Sequence, residues 1–259
     1  SAVSQATEER RKRILAELVD KEHVTVKDLA KSMDVSGATV RRDLKALADQ
    51  DELLLVHGGA TLPRQRDFSF RAKQVRAVEQ KRVIGRLAAS LVRDGHQVFL
   101  DSGTTCFEMV PYLGRLRGVT VLANSARLAL ELNAPGLSVF LIGGEYRPER
   151  MDTVGPMAMS TLNQVRGYFA FIGADGLSMD FGPSASDMAS AHLHRLVIEH
   201  AREAVLLVDS SKFGSASLFQ IVDWPRIGKV VTDREPDDAW KRFFREQDIE
   251  VIFPGKSDN

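Results

Sequence analysis

The chain has 259 residues, of which 44% are hydrophobic and 27% charged, and its 35 basic residues balance its 35 acidic ones. This length allows one large hydrophobic core and a smaller module, and the composition excludes a disordered or fibrous protein. A neutral chain has no bulk attraction for nucleic acid, so any DNA-binding surface must be local. The single cysteine, Cys106, fits a reducing compartment. No apolar run is long enough for a membrane span, so we expect a cytoplasmic protein without a signal peptide.

Proline use divides the sequence into two parts. None of the nine prolines precedes Pro63, whereas proline and glycine interrupt the remainder at regular intervals. This change predicts a small helical domain at residues 7–62, a polar and basic linker at 63–74, and a larger domain at 75–259.

The first part has the pattern of three short helices followed by a hairpin. Between residues 8 and 49, apolar residues recur at helical spacing in three segments, and the third carries Val40, Leu44 and Leu47 at i, i+4 and i+7. Residues 53–56 predict a strand, and the glycines that follow predict a turn and a short return strand. This is the layout of a helix-turn-helix with a wing.

The third predicted helix has one side suited to a DNA major groove. Ser36 is placed to cap this helix by accepting a hydrogen bond from the Thr39 amide. Because the apolar residues must face the core, the opposite side presents a polar and basic set, namely Ala38, Thr39, Arg41, Arg42 and Lys45. Arginine can hold guanine through two parallel hydrogen bonds, and threonine can reach a base edge or a phosphate.

Four further residues complete the predicted DNA-contacting set with the cap residue Ser36: Arg11, His57, Gly58 and Gly59. Up to residue 66 the chain has twelve basic and eleven acidic residues, so the positive charge is local rather than general. It gathers at residues 10–13, on the third helix, and beyond the wing at Arg64 and Arg66. A solvated helix face in a protein–protein module remains the alternative.

The second part alternates short apolar runs with helical segments. The seven strand-like runs are residues 98–100, 119–123, 139–142, 168–172, 204–208, 230–232 and 251–253. Apolar strands that alternate with helices predict an α/β domain with an open, mostly parallel sheet covered by helices on both faces. Seven strands are one too few for the eight-stranded barrel.

The loop after the first of these strands is suited to an anion. Ser102, Thr104 and Thr105 offer hydroxyl groups, Gly103 permits close approach of the backbone, and a following helix would add free amides. A phosphate is the expected ligand. Asp101 would repel a phosphate, so we assign it to sugar hydroxyls or to orienting the loop.

Polar and glycine-rich loops follow the other strands too. They contribute Asn124, Ser125, Gly143, Gly144, Glu145, Gly173, Asp175, Gly176 and Lys212. Because the carboxyl ends of parallel strands share one edge of the sheet, these loops predict one ligand pocket, with Lys212 as the counter-ion. Helix caps and tight turns without a ligand are the alternative.

Several segments resemble those of the DeoR family of bacterial transcription regulators. They are "RRDL" at Arg41, "HGGA" at His57, "DSGTT" at Asp101, "GADG" at Gly173 and "DSSKFG" at Asp209. The resemblance implies a winged helix-turn-helix that binds double-stranded operator DNA, usually as a repressor. It also implies a second domain similar to ribose-5-phosphate isomerase that senses a phosphorylated sugar or related metabolite.

The sequence departs from that family in one segment. Family members commonly carry Thr-Thr-Pro and then acidic residues after the fourth strand, whereas this chain has Ser184-Ala185-Ser186 and later Ala189-Ser190. This segment is expected to contact the ligand or a neighbouring subunit. The identity of the effector therefore cannot be transferred from another member.

A catalytically active sugar-phosphate isomerase with an added DNA-binding module is the alternative function. Moving a proton between adjacent carbons needs a base, and Asp175 could be one. The isomerase-like pattern has a second carboxylate directly after it, where this chain has Gly176. We therefore predict binding without turnover, no cofactor and no catalytic residue.

No metal site is expected, because His192 and His194 stand two residues apart on one predicted helix and point to different sides. One recognition helix buries too little surface for tight specific binding, so we also expect a homo-oligomer, a dimer or a tetramer.

Overall fold

A computed structural model describes residues 5–21, 23–50, 52–61, 73–74 and 77–255. The chain divides into two compact units, Ser1–Val78 and Glu79–Asn259. Most of the predicted linker lies outside the described residues, and so do Arg64 and Arg66.

The N-terminal unit consists of three helices and a small antiparallel sheet. Its elements are α1 (Gln5–Lys21), β1 (His23–Thr25), α2 (Val26–Met33), α3 (Gly37–Ala48), β2 (Leu54–Val56) and β3 (Gly59–Thr61). The sheet has the order β1-β3-β2, so the predicted hairpin gains a third strand that the sequence pattern did not indicate. Strand β1 has three residues, which is too short for a recognisable alternation.

The three helices enclose a core of their own. Ile14 and Leu18 of α1, Leu29 of α2, and Val40 and Leu44 of α3 are all 0–1% exposed. Burying one such side chain stabilises a fold by about 1.5–3 kcal/mol. The apolar spacing read from the sequence therefore identifies the faces that pack.

The C-terminal unit contains the larger sheet and its covering helices. Its helices are α4 (Val78–Ala89), α5 (Thr104–Phe107), α6 (Val110–Leu113), α7 (Ala126–Glu131), α8 (Gly155–Leu162), α9 (Met188–His200) and α10 (Asp238–Glu246). Its strands are β4 (Gln97–Leu100), β5 (Val119–Ala123), β6 (Leu137–Leu141), β7 (Glu145–Arg147), β8 (Asp152–Val154), β9 (Phe169–Gly173), β10 (Gly176–Ser178), β11 (Gly182–Ala185), β12 (Glu203–Leu207), β13 (Phe219–Gln220), β14 (Lys229–Val231) and β15 (Glu250–Ile252).

Seven strands form one open, fully parallel sheet in the order β15-β14-β12-β9-β4-β5-β6. These are the seven predicted strands, so the predicted fold class is confirmed. Two separate hydrophobic clusters pack on the sheet. Two small antiparallel sheets, β10-β11-β13 and β7-β8, were not predicted.

The chain reverses its direction of travel across the sheet between β4 and β9. Strands β4, β5 and β6 follow one another toward one edge, and β9, β12, β14 and β15 toward the other. Ligands of open parallel sheets bind outside the carboxyl ends of the strands at such a switch point. The ends of β4 and β9, at Asp101 and Gly173, are therefore the expected place for a ligand.

Three further observations describe the core and the helices. Trp224, Trp240 and Phe244 pack edge-on or tilted against one another in the core. The described helices include none that is long and apolar enough to cross a membrane. Cys106 is fully buried, and burial raises the pKa of its thiol well above the ordinary value, so it is an inert core residue.

Candidate functional site

Helix α3 presents the face that its sequence predicted. The Oγ atom of Ser36 accepts a hydrogen bond from the Thr39 amide at 3.1 Å, which confirms the predicted N-cap. The apolar side of the helix is buried. The opposite side carries the exposed residues Ala38, Arg41, Arg42 and Lys45, with Thr39 half-buried.

A buried carboxylate on the inner side of α3 binds two arginines of α1. Asp43 is 2% exposed, and its oxygens accept from Arg10 Nε at 2.6 Å and Arg11 Nε at 3.0 Å. The sequence predicts Arg11 as a DNA contact, and in the structure Arg11 joins α1 to α3. Its contact to Asp43 is structural, because a buried carboxylate needs such partners.

The wing combines exposed and packed residues. His57 and Gly58 are exposed at the turn, and Gly58 has a φ of 75°, which favours glycine. Gly59 is buried, and a Cβ atom there would lie 2.0 Å from the carbonyl oxygen of Val24. Gly59 is thus required by the close approach of β1 and β3, a packing role that the sequence reasoning did not give it.

At the switch point of the large sheet, the Asp101 carboxylate organises the loop ends. It is 4% exposed; Oδ2 accepts from the Gly173 amide at 3.1 Å, and Oδ1 lies 2.8 Å from His194 Nε2. Ser102 Oγ lies 3.4 Å from Oδ1. The sequence assigns Asp101 either to sugar hydroxyls or to orienting the loop, and these hydrogen bonds correspond to orienting the loop.

Asp101 and His194 form a buried pair. Burial alone would raise the pKa of Asp101, but the charge and hydrogen bond of His194, together with the Gly173 and Gly103 amides, outweigh burial and lower the pKa of Asp101. Burial alone would lower the pKa of His194, but Asp101 outweighs it, with help from Asp187 and Asp175, so the pKa of His194 is raised. Both shifts favour a carboxylate paired with an imidazolium.

Glycine at several predicted site positions leaves room for neighbouring atoms. A Cβ atom on Gly103 would lie 2.9 Å from Asp101 Oδ2, and one on Gly173 would lie 3.2 Å from it. Cβ atoms on Gly144 and Gly176 would lie 2.5 Å and 2.7 Å from backbone carbonyl oxygens. These four glycines therefore permit close packing around the loops.

A cluster that the sequence reasoning missed lies on the β7–β8 hairpin and the start of α9. Arg147 binds both oxygens of Asp152, at 2.8 and 2.7 Å, and also Asp187 at 2.8 Å. Arg150 binds Asp187 at 2.8 Å, and both arginines donate to Ser190 Oγ at 3.0 Å. Their partners hold the pKa of Arg147 above its ordinary value and that of Asp187 at about 2, although burial opposes both shifts.

This arginine cluster connects to the loop after β4, because Ser102 Oγ donates to Asp152 Oδ2 at 3.1 Å. The structure thus brings the predicted anion loop together with two guanidinium groups and the imidazole of His194. Of these groups, only His194 could have been found from the sequence. Asp187, Ser190 and His194 recur at i, i+3 and i+7, which marks a polar stripe on α9.

The other predicted residues lie on the same sheet edge in different settings. Asn124 is buried and its Nδ2 donates to the Thr153 carbonyl at 3.1 Å, while Ser125 caps α7 by accepting from the Leu128 amide. Asp175 accepts from both the amide and the hydroxyl of Ser186. The other five differ in exposure: Thr104 is buried, Thr105 and Lys212 are half-buried, and Gly143 and Glu145 are exposed.

The segment that departs from the family pattern has defined contacts. Ser184 is fully buried, donates to the Gly176 carbonyl and accepts from the Ser217 amide. Ser186 holds Asp175, and Asp187 caps α9 while it binds the arginines. The described residues contain no group of three or more side chains that could hold a metal ion.

Comparison with known proteins assigns both units to families. Residues 10–66 match the DeoR-like helix-turn-helix domain, and residues 76–234 match the DeoR C terminal sensor domain. Among solved structures, the chain is similar to ribose 5-phosphate isomerase A from Methanocaldococcus jannaschii, with 23% identity and a TM-score of 0.38 over 52% of this chain and 54% of that one.

Curated relatives match over most of their length. The HTH-type transcriptional regulator GlpR of Haloferax volcanii is 34% identical over 87% of this chain and 89% of its own. The HTH-type transcriptional repressor GlcR of Bacillus subtilis (strain 168) is 32% identical over 95% of each chain. With both domains matched in order and relatives of this similarity, the chain belongs to the DeoR family of transcriptional regulators.

Proposed function

We propose that this DeoR-family regulator is a repressor of a carbohydrate-metabolism operon and that a phosphorylated sugar, bound at the β4–β9 switch point, controls its affinity for operator DNA. The observation that carries the proposal is the set of side chains gathered at the carboxyl ends of the strands. It combines the hydroxyl loop at residues 102–105 with Arg147, Arg150 and His194 at one end of the sheet. Such a set suits a ligand that has both hydroxyl groups and negative charge.

The exposed side of α3 supports DNA as the partner of the N-terminal unit. Arg41, Arg42 and Lys45 are exposed there, on a helix whose other side is buried and whose start is capped. We propose that this side enters the major groove, with Arg42 reading a guanine. Because its target is DNA, we place the protein in the cytoplasm.

We also propose that the pocket binds its ligand without turnover. The candidate base Asp175 already accepts two hydrogen bonds from Ser186, and Asp101 is paired with His194. The pKa of Asp101 is lowered by its partners, and Asp175 is held in place by Ser186, so neither carboxylate is placed as a free base. Incubating the protein with each sugar phosphate that it binds, and following the sugar by NMR, should show no interconversion; conversion to an isomer would establish the alternative function.

The switch is tested by titrating effector candidates onto the protein–DNA complex. Operator sites are first selected from a random DNA pool with the full chain, and a panel of sugar phosphates is then added, with the unphosphorylated sugars as controls. A sugar phosphate that releases the DNA should also stabilise the free protein, by about 2.7 kcal/mol at 100 times its dissociation constant. Release by the unphosphorylated sugars alone, or by no sugar phosphate, would contradict the proposal.

The variant Gly103→Asp tests the site within the pocket. It adds a side chain whose Cβ atom would lie 2.9 Å from Asp101 Oδ2, and the added negative charge repels a phosphate on the same loop. We expect normal operator binding and no release by the effector. Ser160→Asp adds the same charge on the exposed side of α8 and should behave as the parent. Parental release by Gly103→Asp would show that the effector binds elsewhere.

A further inference from the structure

One ring nitrogen of His194 makes no hydrogen bond to the described residues. Its Nδ1 atom is buried and has no hydrogen-bond partner among the described residues, and the residue is only 7% exposed. Its other nitrogen, Nε2, is fixed by Asp101 at 2.8 Å. Buried polar atoms are nearly always hydrogen-bonded. An unpartnered Nδ1 atom at the sheet edge where a ligand is expected therefore points to a ligand.

A second buried atom at the same edge is also unpartnered. The Oδ1 atom of Asn124 has no partner among the described residues, while the Nδ2 atom of the same side chain donates to Thr153. Asn124 directly follows β5, and Asp101 directly follows the neighbouring strand β4, in register. One hydrogen-bond acceptor and one imidazole nitrogen thus remain unpaired at adjacent strand ends.

His194 lies one turn after the residue of α9 that binds the two arginines. Side chains of a helix lean toward its N-terminus, so the imidazole leans toward Ser190, one turn earlier on the same face. Ser190 Oγ accepts from Arg147 and Arg150 at 3.0 Å each. The two guanidinium groups and the imidazole thus lie at successive turns of α9.

We propose that His194, as an imidazolium, donates its Nδ1 proton to an oxyanion of the effector, so that the pocket selects acids and holds them more tightly at low pH. This inference rests on the proposed function and assigns a specificity-determining residue to that pocket. The oxyanion is a phosphate or a carboxylate oxygen. The unpaired Asn124 Oδ1 is then available to a sugar hydroxyl of the same ligand.

The groups around His194 decide the sign of the pH effect. Asp101 faces it from the end of β4, Asp175 from the loop after β9, and Asp187 from the start of its own helix. The arginines of the hairpin, Arg147 and Arg150, bind Asp187 and Ser190. The carboxylates together raise the pKa of His194 above its ordinary value despite burial.

An oxyanion at Nδ1 raises this pKa further. Ligand affinity should therefore be highest below the raised pKa of His194 and should fall as the pH rises through it. Losing one charge-assisted hydrogen bond corresponds to a weakening of about tenfold or more. Cys106 does not contribute, because the pKa of its thiol lies far above this range.

The test uses the full chain with inorganic sulfate, which stays a dianion between pH 5.5 and 9, and with acetate to represent a carboxylate. Each anion is titrated at constant ionic strength against chloride while the ring nitrogens of the six histidines are followed by ¹⁵N NMR. We expect sulfate, acetate or both to shift the His194 signals and raise its pKa. His192 is exposed on the same helix and should not respond. An unresponsive His194 ring with both anions would overturn the proposal.

The variant His194→Lys is designed to keep a cation beside Asp101, but lysine has an ordinary pKa of about 10.4 and does not titrate near neutral pH. We expect the sulfate affinity of this variant to be independent of pH between 5.5 and 8.5, whereas His192→Gln should keep the parental decrease. If His194→Lys keeps that decrease, another group is responsible and the proposal is wrong.

The same variants separate this inference from the proposed function. If a sugar phosphate releases the DNA from parent and His194→Lys with one common pH dependence, only the role of His194 fails. If no sugar phosphate releases the DNA, the proposed function fails, whatever the His194 ring shows with sulfate.

Discussion

The ion pair between α1 and α3 allows two roles of Arg11 to be distinguished, a contact to DNA phosphate and a structural contact to Asp43. If Arg11 is a phosphate contact, replacing it changes DNA binding and leaves stability unchanged. In the structure its Nε atom lies 3.0 Å from Asp43, beside Arg10 at 2.6 Å. We therefore expect the double variant Arg10→Met, Arg11→Met to destabilise the N-terminal unit.

The magnitude follows from the unequal burial of the partners. The Asp43 side chain is 3% exposed, and the side chains of Arg10 and Arg11 are 19% and 22% exposed. Removing both arginines leaves a buried carboxylate without compensation, which costs about 3–5 kcal/mol. Removing Asp43 costs less, about 1.5–3 kcal/mol for the lost charged hydrogen bonds, because the partly exposed arginines can turn to water. The double arginine variant should therefore be less stable than Asp43→Asn.

Urea unfolding followed by circular dichroism measures this order, and the salt dependence of DNA binding completes the assay. Lys12→Met is the matched control, because Lys12 is exposed beside the pair and should change stability by no more than about 0.5 kcal/mol. The reasoning is refuted if Arg11→Met keeps the parental midpoint in urea and only lowers the slope of log K against log salt by about 0.9, which is the signature of one phosphate contact.

Four further predictions concern other parts of the molecule. Arg42→Ala should weaken specific operator binding by about 1–3 kcal/mol in a gel-shift titration and should affect random DNA less; parental binding to both would remove α3 from the major groove. Gly59→Ala should lower the melting temperature of the N-terminal unit, since its Cβ would lie 2.0 Å from the Val24 carbonyl oxygen, whereas Gly58→Asn at φ 75° should be tolerated. Two N-terminal units should read half-sites about 10–10.5 base pairs apart or at multiples of this spacing, and sedimentation as a monomer both free and on DNA would contradict this. The ion pair of His194 with Asp101 should stabilise the C-terminal unit fully below the unfolded pKa of about 6.5, and this stabilisation should be lost as the pH rises through the higher folded pKa. The urea midpoint of the parent should therefore decline above neutral pH, and His194→Lys should not show this decline.

The sequence was sufficient for the features that depend on local pattern. The seven parallel strands were found because buried strands are continuous apolar runs, and such runs need no knowledge of their neighbours. The N-cap at Ser36 and the buried side of α3 followed from spacing along one helix. The prediction of an anion loop at residues 102–105 rests on the same kind of local pattern, glycine and hydroxyl residues directly after a strand.

Tertiary structure alone decided which residues meet across the chain. Asp43 and Arg11 are 32 residues apart, and Asp101 and His194 are 93 residues apart, so no periodic pattern relates them. The same holds for Arg147 and Ser190, which come together because the β7–β8 hairpin lies against the start of α9. Local spacing determines which side of an element is buried. The partner of a buried charge is determined by how the elements pack, because a charge has to be paired only where packing removes it from water.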